Sequence, residues 1–282
     1  VKPGILAMQT TLADCIETEG IGLHSGKTAK VRVQPAEADF GVRFRVGGVE
    51  IPAHTDYVTD TRRCTTLGAD GASVSTVEHL LSALAGLGID NADIEVYGSE
   101  IPILDGSAMP WAEAFNQVGL CTLDTPRRYR RVTSLITLRV GDSHMAVSPS
   151  ERYSATVVID FDHPLIGTQA ETLYDDPHRY CTDIAPARTF GFQHEIEALL
   201  ASNLALGGTL ENALVIKPDS FSTPLRVPNE CLRHKALDLW GDLLLAGGPI
   251  LGTVTAVRPG HRANVELARA IAKSASAPSS LV

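Results

Sequence analysis

The stretch Asn229–Ala246, NECLRHKALDLWGDLLLA, gathers residue types that bind metals onto one side of a predicted helix. Steps of four residues turn about 40° on a helical wheel, so His234, Asp238 and Asp242 form one column with Lys235 at its edge. Leu232, Ala236, Leu239, Trp240 and Leu243 fall on the opposite side as a core stripe. A His and an Asp at i and i+4 can hold one metal ion together. The competing reading is an amphipathic helix with a solvated face, on which Lys235 and Asp238 make a weak i,i+3 pair. The helix alone does not decide between them.

A second source of ligands lies in STVEHLLSALAGLGI, Ser75 to Ile89. Val77, Leu80, Leu81 and Leu84 follow helical spacing, which puts Glu78 and His79 in the first turn. Ser75-Thr76-Val77-Glu78 also reads as a capping box, in which the Glu78 carboxylate would serve an orphan amide rather than chemistry. Spacing leaves both readings open. His261, in RPGHRAN, is expected on a loop tip between a strand and a helix, where reactive groups are often mounted. GIGLHSGK, Gly20 to Lys27, predicts a tight turn, although its spacing fits neither standard phosphate loop. Two His and one Asp would leave a fourth tetrahedral position for water. A carboxylate beside the metal could deprotonate that water, and a protonated His could serve the leaving group. The chemistry suggested is metal-assisted hydrolysis.

The elements that must position these groups follow one plan twice. Short β-rich runs cover Gln9 to Val46 and Thr61 to Leu67, then the Ser75 helix, a strand at Asn91–Tyr97 and a helix at Ala108–Val118. The second half offers strands at Val132–Val140, His144–Pro149 and Ala155–Phe161, and a short helix at Gln193–Ala201. A strand at Asn212–Ile216, the Asn229 helix, a strand at Ile250–Val257 and a final helix at Asn264–Lys273 complete it. Asp124–Arg131, DTPRRYRR, reads as a linker. The expectation is α+β, with two similar domains at 1–125 and 126–282.

Composition narrows the partners. A chain of 282 residues has ample core for one large or two ordinary domains. Its net charge of −9 argues against general nucleic-acid binding, which needs a basic surface. Five cysteines without CxxC spacing argue against a disulfide framework and suit a reducing compartment. No apolar run reaches the length of a membrane span, no signal-peptide pattern is visible, and the tail from Lys273 onward is expected to fray.

Several blocks carry a resemblance. TVEHLLSALAGLGIDNADIEV, EIPILDGSA, ARTFGF, LGGTLENALV, RHKALDLWGD and GHRAN, with GIGLHSGK ahead of them, are similar in sequence and order to the UDP-3-O-acyl-N-acetylglucosamine deacetylases. These are the zinc amidases of lipid A biosynthesis in Gram-negative bacteria. The resemblance implies two domains, each a β-sheet packed with helices, with the helices sandwiched between the sheets and the active site at their junction. It implies His79, His234 and Asp238 as zinc ligands, with ferrous iron an alternative for such a set. Glu78 becomes the general base toward water at the metal, and His261 a cationic partner held by Asp242. Thr189 becomes a hydroxyl donor to the oxyanion, and Lys235 a positive charge near substrate. Phe190, Phe192, Ile196, Leu210 and Val215 become candidates for an acyl passage; Phe161 and Arg258 become candidates for the UDP. Arg258 stands where relatives commonly carry Lys, and Cys64 matches a Cys near the metal in some of them. A small acylated UDP-sugar substrate, a cytoplasmic setting and a monomer complete the expectation.

Overall fold

Alternation builds the two sheets. In Thr28–Pro35 the residues Ala29, Val31 and Val33 point inward and their neighbours outward, as one buried face requires. The computed structural model describes residues 7–274, so the end of the tail expected to fray lies outside the described residues. Among the described residues the chain forms two five-stranded mixed sheets and four shorter pairings or ribbons. The first large sheet comprises β1 (Ile16–Ile21), β2 (Thr28–Pro35), β3 (Val42–Val46), β4 (Val49–Pro52) and β5 (Ala92–Tyr97), in the order β1-β2-β5-β3-β4. The second comprises β6 (Ile136–Val140), β7 (Ser143–Ser148), β8 (Ser154–Phe161), β9 (Gly167–Tyr174) and β10 (Thr253–Val257), in the order β6-β7-β10-β8-β9.

The two orders are the same. Each sheet is two hairpins with the last strand inserted between them, antiparallel to one neighbour and parallel to the other. Each last strand also lies between two helices in sequence. Helix α1 (Glu78–Leu87) precedes β5 and α2 (Met109–Val118) follows it. After the outlying α3 (Gln193–Ala201), α4 (Glu230–Leu244) precedes β10 and α5 (His261–Ser274) follows it. The loose repeat expected from the sequence is therefore a repeat of topology. The architecture is α+β, with the helices packed between the sheets and one shared buried cluster joining both halves.

The seam between the halves is α1 against α4. Gly241 makes their approach feasible: a Cβ there would sit 2.0 Å from the Glu78 carbonyl oxygen. Further along α1, a Cβ at Gly86 would meet the Tyr180 ring at 2.3 Å, and the Tyr180 hydroxyl donates to Ser82 Oγ at 2.9 Å. The arginines of the stretch read as a linker make polar contacts. Arg127 donates to Asp90 (2.7 Å), Arg128 to Asp39 (2.6 Å) and Arg130 to the Gly247 carbonyl (3.2 Å).

Three local expectations change. Thr61–Thr65 is irregular rather than a strand, and pairing starts at Thr66, because Arg63 takes a left-handed φ of 69° that interrupts an extended chain. The helix expected from Ser75 starts at Glu78, after Thr76 at φ 59°. His261 is not on a loop tip but is the first residue of α5.

Candidate active site at the junction of the halves

His79 enters the seam from α1, and His234 and Asp238 from successive turns of α4. All three are buried. One ligand atom from each lies within 4.8 Å of the others. His234 Nε2 is 3.4 Å from Asp238 Oδ1, and His79 Nε2 is 3.8 Å from the same oxygen. The neighbours leave these atoms free. The Ala187 carbonyl accepts from His234 Nδ1 (3.0 Å), so the proton sits there and the Nε2 lone pair faces the site. Lys235 Nζ donates to Asp238 Oδ2 at 2.8 Å, while Asp238 Oδ1 is buried without a hydrogen-bond partner among the described residues. A buried carboxylate oxygen without a donor is costly unless something positive belongs beside it. Two imidazoles and that oxygen fit a divalent transition metal.

Electrostatics point the same way. Burial, helped by the neighbouring His234, pushes the His79 imidazole down to about 3, and burial also lowers His234, so both are neutral donors at neutral pH. For Asp238, burial opposes ionisation, but Lys235 and the surrounding imidazoles overcome it and hold the carboxyl well below its usual range. Burial likewise works against the Lys235 ammonium, yet Asp238 keeps it charged and raises its pKa.

Beside the triad stand Glu78 and His261, with His261 Nε2 3.7 Å from Glu78 Oε1. Burial pushes the Glu78 carboxyl up to about 8, only partly offset by His261. Burial would neutralise His261, but Asp242, Glu78 and Asp238 raise it to about 9. Its Nδ1 donates to Asp242 Oδ2 at 2.9 Å. A carboxylate able to take a proton near neutrality and an imidazolium able to give one thus sit side by side. The capping box does not form: α1 has no side-chain cap, and Glu78 Oε2 accepts from the Thr65 amide at 3.1 Å. The solvated-face reading of α4 fails as well, because His234, Asp238 and Asp242 are buried at the seam.

Glu78, His79, His234, Asp238 and His261 line a cavity of about 660 Å³ together with Thr189 and Lys235, with Asp242 behind His261 and outside the lining. Of the acyl candidates, Phe190, Ile196, Leu210 and Val215 line it, with Leu210 more than half exposed. Phe192 is not among its lining residues; its ring packs on Phe161 (5.4 Å between centroids), His163 and His194. Phe161 also meets Phe190 edge-on at 5.7 Å. Arg258 lines a separate surface recess of about 360 Å³ with Arg139, His144 and Asp160, and its guanidinium is paired with Asp160. Cys64 is buried, its thiol pushed up to about 12 by burial and then by the Glu78 charge, and it is not part of the ligand cluster.

Sequence reasoning missed several neighbours. The turn at Leu23–His24 also lines the cavity. It cannot cradle phosphate with its amides, because Glu100 accepts from the His24 and Ser25 amides, each at 2.8 Å. Asn264, whose side-chain amide donates to Asp242 at 2.9 Å, lies one helical turn after His261 and could have been found from that spacing. Thr65, beside both Glu78 and Asp242, carries no such signal.

Three buried ligand-type side chains with a carboxylate and an imidazole just outside them fit the class of metallohydrolases. Comparison with known proteins narrows the class. Residues 9–273 match the family described as LpxC: UDP-3-O-acyl N-acetylglycosamine deacetylase. The chain is 43% identical over 265 residues to the UDP-3-O-acyl-N-acetylglucosamine deacetylase of Geotalea uraniireducens, covering 92% of this chain and 86% of that protein. It is 42% identical over 276 residues to the protein of the same name from Thermosynechococcus vestitus, covering 96% of each. The relative from Xanthomonas oryzae pv. oryzae is 41% identical over 276 residues, covering 94% of this chain and 90% of its own. The chain belongs to this family of zinc-dependent deacetylases of lipid A biosynthesis. No helix among the described residues is long and apolar enough to cross a membrane.

Proposed function

We propose that this chain hydrolyses the acetamide of UDP-3-O-acyl-N-acetylglucosamine, releasing acetate and UDP-3-O-acyl-glucosamine. The observation that carries the reading is the unpartnered Asp238 Oδ1 facing two imidazole Nε2 atoms, with Glu78 and His261 at the same cavity end. Bound by His79, His234 and Asp238, a zinc or ferrous ion supplies Lewis acidity toward the acetamide carbonyl and lowers the pKa of a water at the site. Glu78 accepts the proton of the attacking water on its carboxylate. Burial suits it to this task, since a base near neutrality works best when its pKa lies near the working pH. His261, kept cationic by Asp242, faces the negative charge that develops on the former carbonyl oxygen, and Thr189 donates a hydroxyl to it. The leaving amine takes its proton from Glu78 or His261. Lys235 orients Asp238 and adds positive charge near the substrate.

The apolar wall of Phe190, Ile196, Leu210 and Val215 suits an acyl chain, with Phe192 supporting it through Phe161. Phe161 is the proposed stacking surface for uracil. Arg258 is the proposed diphosphate contact; it must exchange Asp160 for phosphate, in a recess that also holds the Arg139 guanidinium and the Asp142 carboxylate. Five free cysteines support a reducing, cytoplasmic setting.

The test is acetate release from the UDP-linked 3-O-acyl substrate, from its non-acylated parent and from free N-acetylglucosamine. Turnover is expected with the first far above the others. Equal turnover of all three would overturn the substrate assignment.

A further inference from the structure

Thr65 belongs neither to the ligand triad nor to the acid–base pair, yet it touches both halves of the machinery. It is fully buried and is absent from the cavity lining, so it does not meet substrate. Its backbone N–H donates to Glu78 Oε2 at 3.1 Å. Its hydroxyl donates to Asp242 Oδ1 at 2.6 Å, a short charge-assisted bond. The second Asp242 oxygen accepts from His261 Nδ1 and Asn264 Nδ2, each at 2.9 Å. Asp242 is itself fully buried, so no solvent replaces a donor it loses. With three donors spread over two oxygens, the carboxylate has one orientation in which all are served. Remove the Thr65 donor, and Oδ1 gains by turning toward the remaining two, which moves Oδ2 off the line to His261.

We propose that Thr65 is a positioning residue for the deacetylation: its hydroxyl fixes the Asp242 carboxylate that holds His261, and its amide fixes Glu78. One residue of the first half thereby sets the spacing between the base on α1 and the imidazolium on α5. The proposal rests on the assignment of Glu78 and the Asp242–His261 pair as the acid–base apparatus.

Thr65→Val keeps the shape and the amide to Glu78 and removes the hydroxyl alone. It should lower kcat about tenfold, the scale on which partners of catalytic groups act. KM and metal content should stay at wild-type values, because Thr65 touches neither substrate nor ligands. Thr65→Ser, which restores the hydroxyl, should recover most of the loss. In an Asp242→Asn background, Thr65→Val should cost nothing further. Wild-type kcat in Thr65→Val overturns the proposal, as does an equal loss in both backgrounds or a change confined to KM or metal content. Should Thr65→Val not fold, Thr65→Ala against Thr65→Ser asks the same question. Normal turnover of Asp242→Asn by itself would instead remove the underlying assignment, and the proposal with it.

Discussion

In the first half of the chain the helix that precedes the central strand, α1, contributes Glu78 and His79. In the second half its counterpart α4 contributes His234, Lys235, Asp238 and Asp242. The following helices differ more. α5 opens on His261, which points back at Asp242, whereas α2 opens on Met109 and Pro110 and carries buried Trp111 and Phe115. The same strand order thus carries two unlike polar sets, and neither is complete. The first half holds the proposed base, Glu78, and one candidate metal ligand, His79; the second holds the other two candidate ligands, His234 and Asp238, and the proposed acid, His261. Packed together, they set three buried carboxylates against two buried imidazoles, the partly buried His261 and the partly buried Lys235 ammonium. Separated, those groups would lose the partners that make their burial tolerable, since an isolated buried charge costs several kcal/mol. The difference between the halves teaches that the repeat supplies a scaffold and the seam supplies the chemistry.

That comparison can be broken at three points. The largest effect is expected from the proposed base on the first half: Glu78→Gln should lower turnover by about 10² to 10⁴. Metal content should be unchanged, because Glu78 is not a ligand. Near-normal turnover of the metal-loaded variant would remove Glu78 as the base. Next comes the seam itself. Gly241→Val would press a side chain onto the Glu78 carbonyl, where even a Cβ would lie 2.0 Å away. A loss of more than about 3 kcal/mol is expected, seen as a marked fall in the thermal unfolding midpoint with loss of activity. Wild-type unfolding would mean that the helices do not meet so closely. The smallest effect is a shift in pH dependence from the second half. Asp242 is the main charge raising His261, and the imidazolium must be protonated to act. Asp242→Asn removes the anion that favours the protonated form, so the His261 pKa falls. The alkaline limb of the kcat/KM profile should then move to lower pH by about one unit or more. An unmoved limb would detach Asp242 from His261.

The sequence is most readable where a short period carries chemistry. His234, Asp238 and Asp242 recur every four residues, so their shared column on α4 was visible, as was the neighbouring pair Glu78-His79. What spacing could not show was burial: a polar arc on an isolated helix looks the same whether water or another helix faces it. Only the Gly241 approach and the α1 seam decide that. The family resemblance supplied this contact before the structure did. The strand β9 went unread because Gly167–Tyr174 alternates largely between exposed and half-exposed positions and mixes Thr, Gln and Glu with few apolar residues, leaving no apolar alternation to detect. Phe190 and Phe192 stand two apart in one short strand, so sequence treats them alike. Phe190 lines the cavity, while Phe192 is held among Phe161, His163 and His194. Thr65 was invisible because its partner Asp242 lies far along the chain, and a lone Thr in an irregular segment gives no period.

The central claim is that one metal site is assembled from both halves. It is tested most directly by metal analysis of the freshly purified wild-type chain beside folded His79→Ala and His234→Ala variants. The account predicts one divalent metal ion per wild-type chain, and its loss whether the ligand is removed from α1 or from α4. Full metal content in His79→Ala would contradict it, because the second half would then hold the ion without the first.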